Sequence, residues 1–306
     1  MKPIIGGSPP HGWSRRLLVV CLGVLSVISV LVPSSRAERP SHVRHPWPAL
    51  IAQAEARGLP TGFLKEIAPD FVDVAFEDLR TYAAEYHPER HQMILNLRLS
   101  FNEAGGALAD LTRMTHHDLG LLYHELLHAY LDYLFSASDP TALSPRARRA
   151  LALATAQLHC HYRFVRINPI RQRRTATELR FLSDEDAWEV LNETWAVFVG
   201  WAIWTKLELF HGQPREGTWT PELLHEWRSR LEAAHRSGEL LGYYEPDDPE
   251  ERRIARKRFI APTNALTPQE AEFLLREILE EPRELADIAK AVLAQKVTDE
   301  STPSCQ

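Results

Sequence analysis

Cysteine is scarce, with three in 306 residues. That excludes a disulfide-dense mini-fold and a four-cysteine zinc ribbon. Glycine is sparse too, at 14 residues, and none of it forms a nucleotide-binding fingerprint: Gly6-Gly7 lies near the N-terminus and Gly105-Gly106 lacks the spaced third glycine. An excess of positive charge is also missing. The net charge is −6 and the pI near 6.2, which gives no electrostatic case for a nucleic-acid partner. Acidic residues are absent before Glu38, and the apolar run Leu17 to Val32 stops at 16 residues, short of the ~20 that span a bilayer. What is present, 44% hydrophobic and 25% charged residues, fits a folded globular chain.

The N-terminus reads as an export signal over 1–37, with an uncleaved membrane anchor as the alternative. Lys2, Arg15 and Arg16 precede the apolar run, and Ser35-Arg36-Ala37 has small residues at the −3 and −1 positions of a cleavage site. Ser14-Arg15-Arg16 hints at twin-arginine export. Residues 38–306 are then the mature domain, periplasmic or secreted, with 31 basic against 41 acidic residues. It keeps Cys160 and Cys305, able to pair in an oxidising compartment.

Along the mature chain the spacing predicts short helices over 49–58 and 61–67 and a strand over 71–76. Its best strand runs from Met93 to Phe101, where Leu95, Leu97, Leu99 and Phe101 alternate with polar residues. Helices are expected over 108–135, 145–166 and from a Ser183 cap to about Leu209; Thr220-Pro221 and Thr267-Pro268 each mark a further start. Glu270 completes a capping box with Thr267. The expectation is a mainly α protein with a small antiparallel sheet, an α+β class whose residues 210–306 form a helical C-terminal part.

Residues 124–128 read His-Glu-Leu-Leu-His. On a helix, positions i and i+4 share a face, so two imidazoles can hold one metal ion, with Glu125 beside it as general base. Zinc accepts nitrogen and carboxylate donors and keeps a position for water in a catalytic site. The helix around the motif is otherwise apolar, and ionisable groups buried there without a partner would be costly. A third donor is sought in Glu189 and Glu193, four apart on a later apolar helix.

His124-Glu125-x-x-His128 followed by Asn192-Glu193-x-x-Ala196 resembles the gluzincin branch of zinc metallopeptidases, which includes thermolysin and aminopeptidases with an Asn-Glu-Gly-Phe-Ala segment. The resemblance spans roughly residues 91–200. It implies a zincin-like core, one Zn2+ held by His124, His128 and Glu193, peptide or protein substrates, and an edge strand at Met93–Phe101 that pairs with the substrate. Two features depart from the family: the 64 residues between His128 and Glu193, and Val197 where the family often has Asp.

For the oxyanion donor the choice is Tyr244, in a loop with Tyr243, over His225 and His235. His159-Cys160-His161 reads as a splayed set rather than a second metal site. Between Arg146 and Arg180 stand nine arginines and one acid, Glu178. That segment is either a solvated face or a patch for a membrane or other anionic surface. The alternative to an enzyme is a metal-binding envelope protein that uses this patch.

Overall fold

The structure is a computed structural model and describes residues 46–80, 83–100, 108–168, 177–211 and 218–294. The expected leader, Phe101, Gly105-Gly106 and Cys305 lie outside these residues. The protein is mainly helical with small sheets, as expected. Among the described residues no helix is long and apolar enough to cross a membrane.

After helix α1 (Pro46–Ala56) come strands β1 (Asp73–Glu77), β2 (Ala84–His87) and β3 (Gln92–Asn96). They form a mixed sheet in the order β1-β3-β2, with β3 parallel to β1 and antiparallel to β2. This corrects two expectations. The strand around Met93 ends at Asn96, where the chain turns through Leu97–Leu99, and it is the central strand rather than the edge. Its residues Met93 to Asn96 are all buried, as befits a strand flanked on both sides. The edge strands are β1 and β2, and it is the β2 edge that meets α2.

Helix α2 (His116–Ser136) carries the HExxH motif. It begins at His116, eight residues later than the periodicity suggests. Thr115 Oγ1 accepts from Asp118 N at 3.1 Å and Asp118 Oδ2 accepts from Thr115 N at 3.2 Å, a reciprocal cap that fixes the start. Helix α3 (Pro145–His159) starts on the Ser144 cap and ends short of the expected Arg166. Residues Phe164–Ile167 instead form β4, antiparallel to β5 (Glu178–Phe181). Val165 and Ile167 are fully buried while Phe164 is exposed, so a period of two wins over helix propensity here.

Helix α4 (Asp184–Phe210) starts on the Ser183 cap, with Asp184, Glu185 and Asp186 in its first turn. Helix α5 (Pro221–Ser237) is followed by β6 (Tyr243–Tyr244), α6 (Pro249–Ile254) and β7 (Arg258–Phe259), and β6 pairs with β7. The described residues end with α7 (Pro268–Phe273), the π turn Leu274–Ile278 and α8 (Arg283–Leu293). The expected caps at Thr220 and Thr267 are present.

Two glycines set how closely α2 and α4 approach. A Cβ on Gly200 would stand 2.8 Å from the Gly120 carbonyl oxygen, and one on Gly120 would stand 2.9 Å from that of Gly200. Backbone meets backbone, so no side chain can swing aside. Gly200→Ala should therefore destabilise the protein: the overpacking cost of ~1–3 kcal/mol exceeds the ~1 kcal/mol that Ala gains over Gly in helix propensity. Thermal unfolding should show a lowered Tm; an unchanged or raised Tm would mean that the helices can part freely.

Candidate metal centre

The crossing at Gly120 and Gly200 lies one helical turn from His124, and it brings the motif face of α2 against residues 192–196 of α4. His124, His128 and Glu193 converge. The two Nε2 atoms are 3.0 Å apart; His124 Nε2 lies 3.6 Å from Glu193 Oε2 and His128 Nε2 lies 3.5 Å from Glu193 Oε1. Donors bound to zinc at 2.0–2.2 Å in a tetrahedron stand about 3.4 Å apart. The observed triangle has that size.

The donor chemistry fits a cation as well. His128 Nδ1 donates to Asn192 Oδ1 at 2.9 Å, which leaves Nε2 as the ring atom that a metal would meet. The His124 ring bonds the backbone of Ala196, and burial holds its pKa well below the usual range, keeping it in the neutral, ligating form. Two lone pairs facing each other at 3.0 Å repel unless a proton or a metal lies between them. Glu193 Oε2 is buried and has no hydrogen-bond partner among the described residues. These are the orphaned atoms a divalent cation would satisfy, and Asn192 and Ala196 supply the orienting bonds that ligating histidines require.

Glu125 stands beside the triad, its Oε1 4.0 Å from His124 Nε2. Its Oε2 accepts from the backbone N–H of Tyr86 at 2.9 Å, on the free edge of β2. Burial pushes its carboxyl up to about 7. The edge strand is itself tied to α2, because Tyr86 Oη donates to Asp132 Oδ2 at 2.6 Å and His91 Nδ1 meets the same oxygen at 2.7 Å. Glu189, the other candidate donor, lies outside the triad. Its Oε2 accepts from Glu245 N at 2.9 Å, and burial raises it to about 7.

A cleft of about 770 Å³ opens over this centre, walled by Glu85 and Tyr86 of β2, Trp188 and Glu189 of α4, and Tyr243, Arg256 and Lys257 from the β6–β7 region. Tyr244 is absent from that wall. Successive strand residues face opposite sides. Tyr244 is buried on the far side of β6, where burial and the Glu251 charge push its phenol up to about 12. The cleft residue is Tyr243. Burial raises its phenol far above the usual range, and the Glu193 carboxylate adds through charge and a hydrogen bond. The Lys257 ammonium sits 3.8 Å from the centroid of its ring. Gly242 makes this placement possible, since a Cβ there would stand 2.2 Å from Thr194 Oγ1, next to Glu193.

Among the described residues no other histidine joins the centre. His116 Nδ1 meets Glu208 Oε1 at 2.7 Å at the start of α2. His161 Nε2 meets the Ala265 carbonyl at 3.0 Å, and Cys160 is disulfide-bonded, so the 159–161 set is not a metal cluster. No protein-family model, no curated protein and no solved structure matches the chain.

Proposed function

We propose that the protein is an exported zinc-dependent hydrolase acting on peptide bonds. The observation that carries this reading is the convergence of His124 Nε2, His128 Nε2 and an otherwise unpartnered Glu193 oxygen, with a second carboxylate, Glu125, held alongside. When bound, zinc supplies a Lewis acid and lowers the pKa of water toward neutrality.

The chain's own residues do the rest. Glu125, fixed by the Tyr86 N–H, takes the proton of the attacking water and returns it to the leaving amine. Asn192 and the Ala196 backbone hold the two imidazoles in the tautomer and orientation that ligation needs. Tyr243 replaces Tyr244 as the donor to the developing oxyanion, because its hydroxyl faces Glu193 inside the cleft. An extended peptide would lie along the free edge of β2, which takes over the role first expected of the Met93 strand.

Digestion of a broad peptide library with and without a chelator tests the reaction class. Cleavage that the chelator abolishes and added zinc restores is expected. Stoichiometric zinc with no cleavage of any peptide would overturn the hydrolytic reading and leave a metal-binding module.

A further inference from the structure

Five acids line the cleft over the candidate metal centre, Glu85, Glu125, Glu189, Glu193 and Glu245, against two cations, Arg256 and Lys257. The acids are accounted for. Glu125 accepts from the Tyr86 N–H and Glu189 from the Glu245 N–H, while Glu193 faces the two imidazoles. Glu245 pairs with Arg256 at 3.0 Å, and Glu85 lies 3.5 Å from His87.

Lys257 differs from all of these. Among the described residues no carboxylate pairs with its ammonium, which rests instead on the face of Tyr243, 3.8 Å from the ring centroid. Such a contact holds a cation in place without neutralising it. The local structure fixes the arrangement. Arg258 is buried in ion pairs with Glu251 and Glu178, whereas Lys257 and Phe259 on either side of it are exposed. Phe259 pairs with Tyr243 across β6 and β7, ring centroids 5.5 Å apart, and so sets the ring on which the ammonium lies.

Tyr243 also ties this charge to the reacting end of the cleft, because its hydroxyl meets Glu193. One tyrosine side chain separates the ammonium from the triad. Extended peptide covers such a gap in about one to three residues, at about 3.3–3.6 Å each. A negative group entering the cleft meets like charge along most of its walls, so the unpaired cation decides where it can settle.

We propose, on the peptidase reading of this cleft, that Lys257 captures a carboxylate of the substrate and so sets the cut within about three residues of it. The carboxylate is either the C-terminus of the peptide or an Asp or Glu side chain, since the ammonium engages both by the same charge-assisted hydrogen bond.

The test uses the full chain and a peptide library in four forms: free or amidated C-termini, each with Asp and Glu present or replaced by Asn and Gln. Mass spectrometry of the digest by the zinc-loaded protein locates the cuts. They should fall within about three residues of a carboxylate, and the form that is cut identifies its source. For a peptide taken from that digest, KM should be at least about tenfold lower than for its carboxylate-free analogue, and the ratio should shrink with salt. Lys257→Met should bring the ratio to about one and Lys257→Arg should keep most of it. A second readout needs no turnover. With the metal chelated, reductive methylation of Lys257, measured against Lys65 and Lys290, should slow when the free-acid library is added and not when the carboxylate-free one is. Cuts unrelated to carboxylates, or discrimination that survives Lys257→Met, would overturn the proposal and leave the hydrolase standing. No cleavage of any form, with Lys257 still protected, would remove the hydrolytic reading and keep the carboxylate site. Absence of protection overturns the proposal in either case.

Discussion

Glu125→Gln should leave the metal in place and remove most of the hydrolysis. The amide keeps the shape of the carboxylate and can still accept from the Tyr86 N–H, so the edge strand and the cleft should not move. Neither histidine nor Glu193 changes, so metal content by elemental analysis should equal that of the wild type. What is lost is the proton acceptor, an effect of roughly 10²–10⁴-fold in rate for a positioned general base. Steady-state cleavage of a peptide selected from the library measures it. The comparison with Glu189→Gln matters because Glu189 is also a part-buried acid of the same cleft, likewise raised to about 7 by burial. Its substitution should keep both the metal and the greater part of the rate. A fully active Glu125→Gln enzyme would remove Glu125 from the mechanism.

The motif helix was legible because its chemistry is local: the spacing of His124 and His128 fixes their common face within one turn and a half. The apolar periodicity runs back to Leu108 and hides the start of α2, which is fixed instead by a Thr-x-x-Asp box equivalent to Thr-x-x-Glu. The strand at 164–167 was hidden by the helix before it, although Val165 and Ile167 alternate with Phe164 and Arg166. The edge strand Ala84–His87 is only four residues long, too short for alternation to stand out. Gly120 and Gly200 read as isolated glycines within helical patterns, and a helical glycine signals close backbone approach only once its partner is known. The choice between Tyr243 and Tyr244 depends on the parity of a two-residue strand, which pairing with β7 fixes and the local sequence does not. Choosing Glu193 over Glu189 required the resemblance; in the structure the same distinction follows from which turn of α4 lies against His124 and His128.

Glu193→Ala should abolish stoichiometric metal binding, while Glu189→Ala should retain it. Glu193 contributes the only charged donor of the triad and reaches both imidazoles with its two oxygens, so its loss leaves two neutral nitrogens on one helix and an open side toward the cleft. Glu189 sits one turn earlier with its carboxylate committed to the Glu245 N–H, so its removal leaves the donor set whole. Stability gives a second, independent measurement. A metal that binds only the folded chain at a free concentration of 100 Kd adds ~2.7 kcal/mol, which in a protein of this size corresponds to a Tm higher by roughly 4–5 °C. A chelator should lower the wild-type and Glu189→Ala Tm by that amount and leave Glu193→Ala unmoved. Should Glu193→Ala keep one zinc per chain and its chelator-sensitive Tm, the third ligand lies elsewhere and the catalytic geometry built on α4 fails with it.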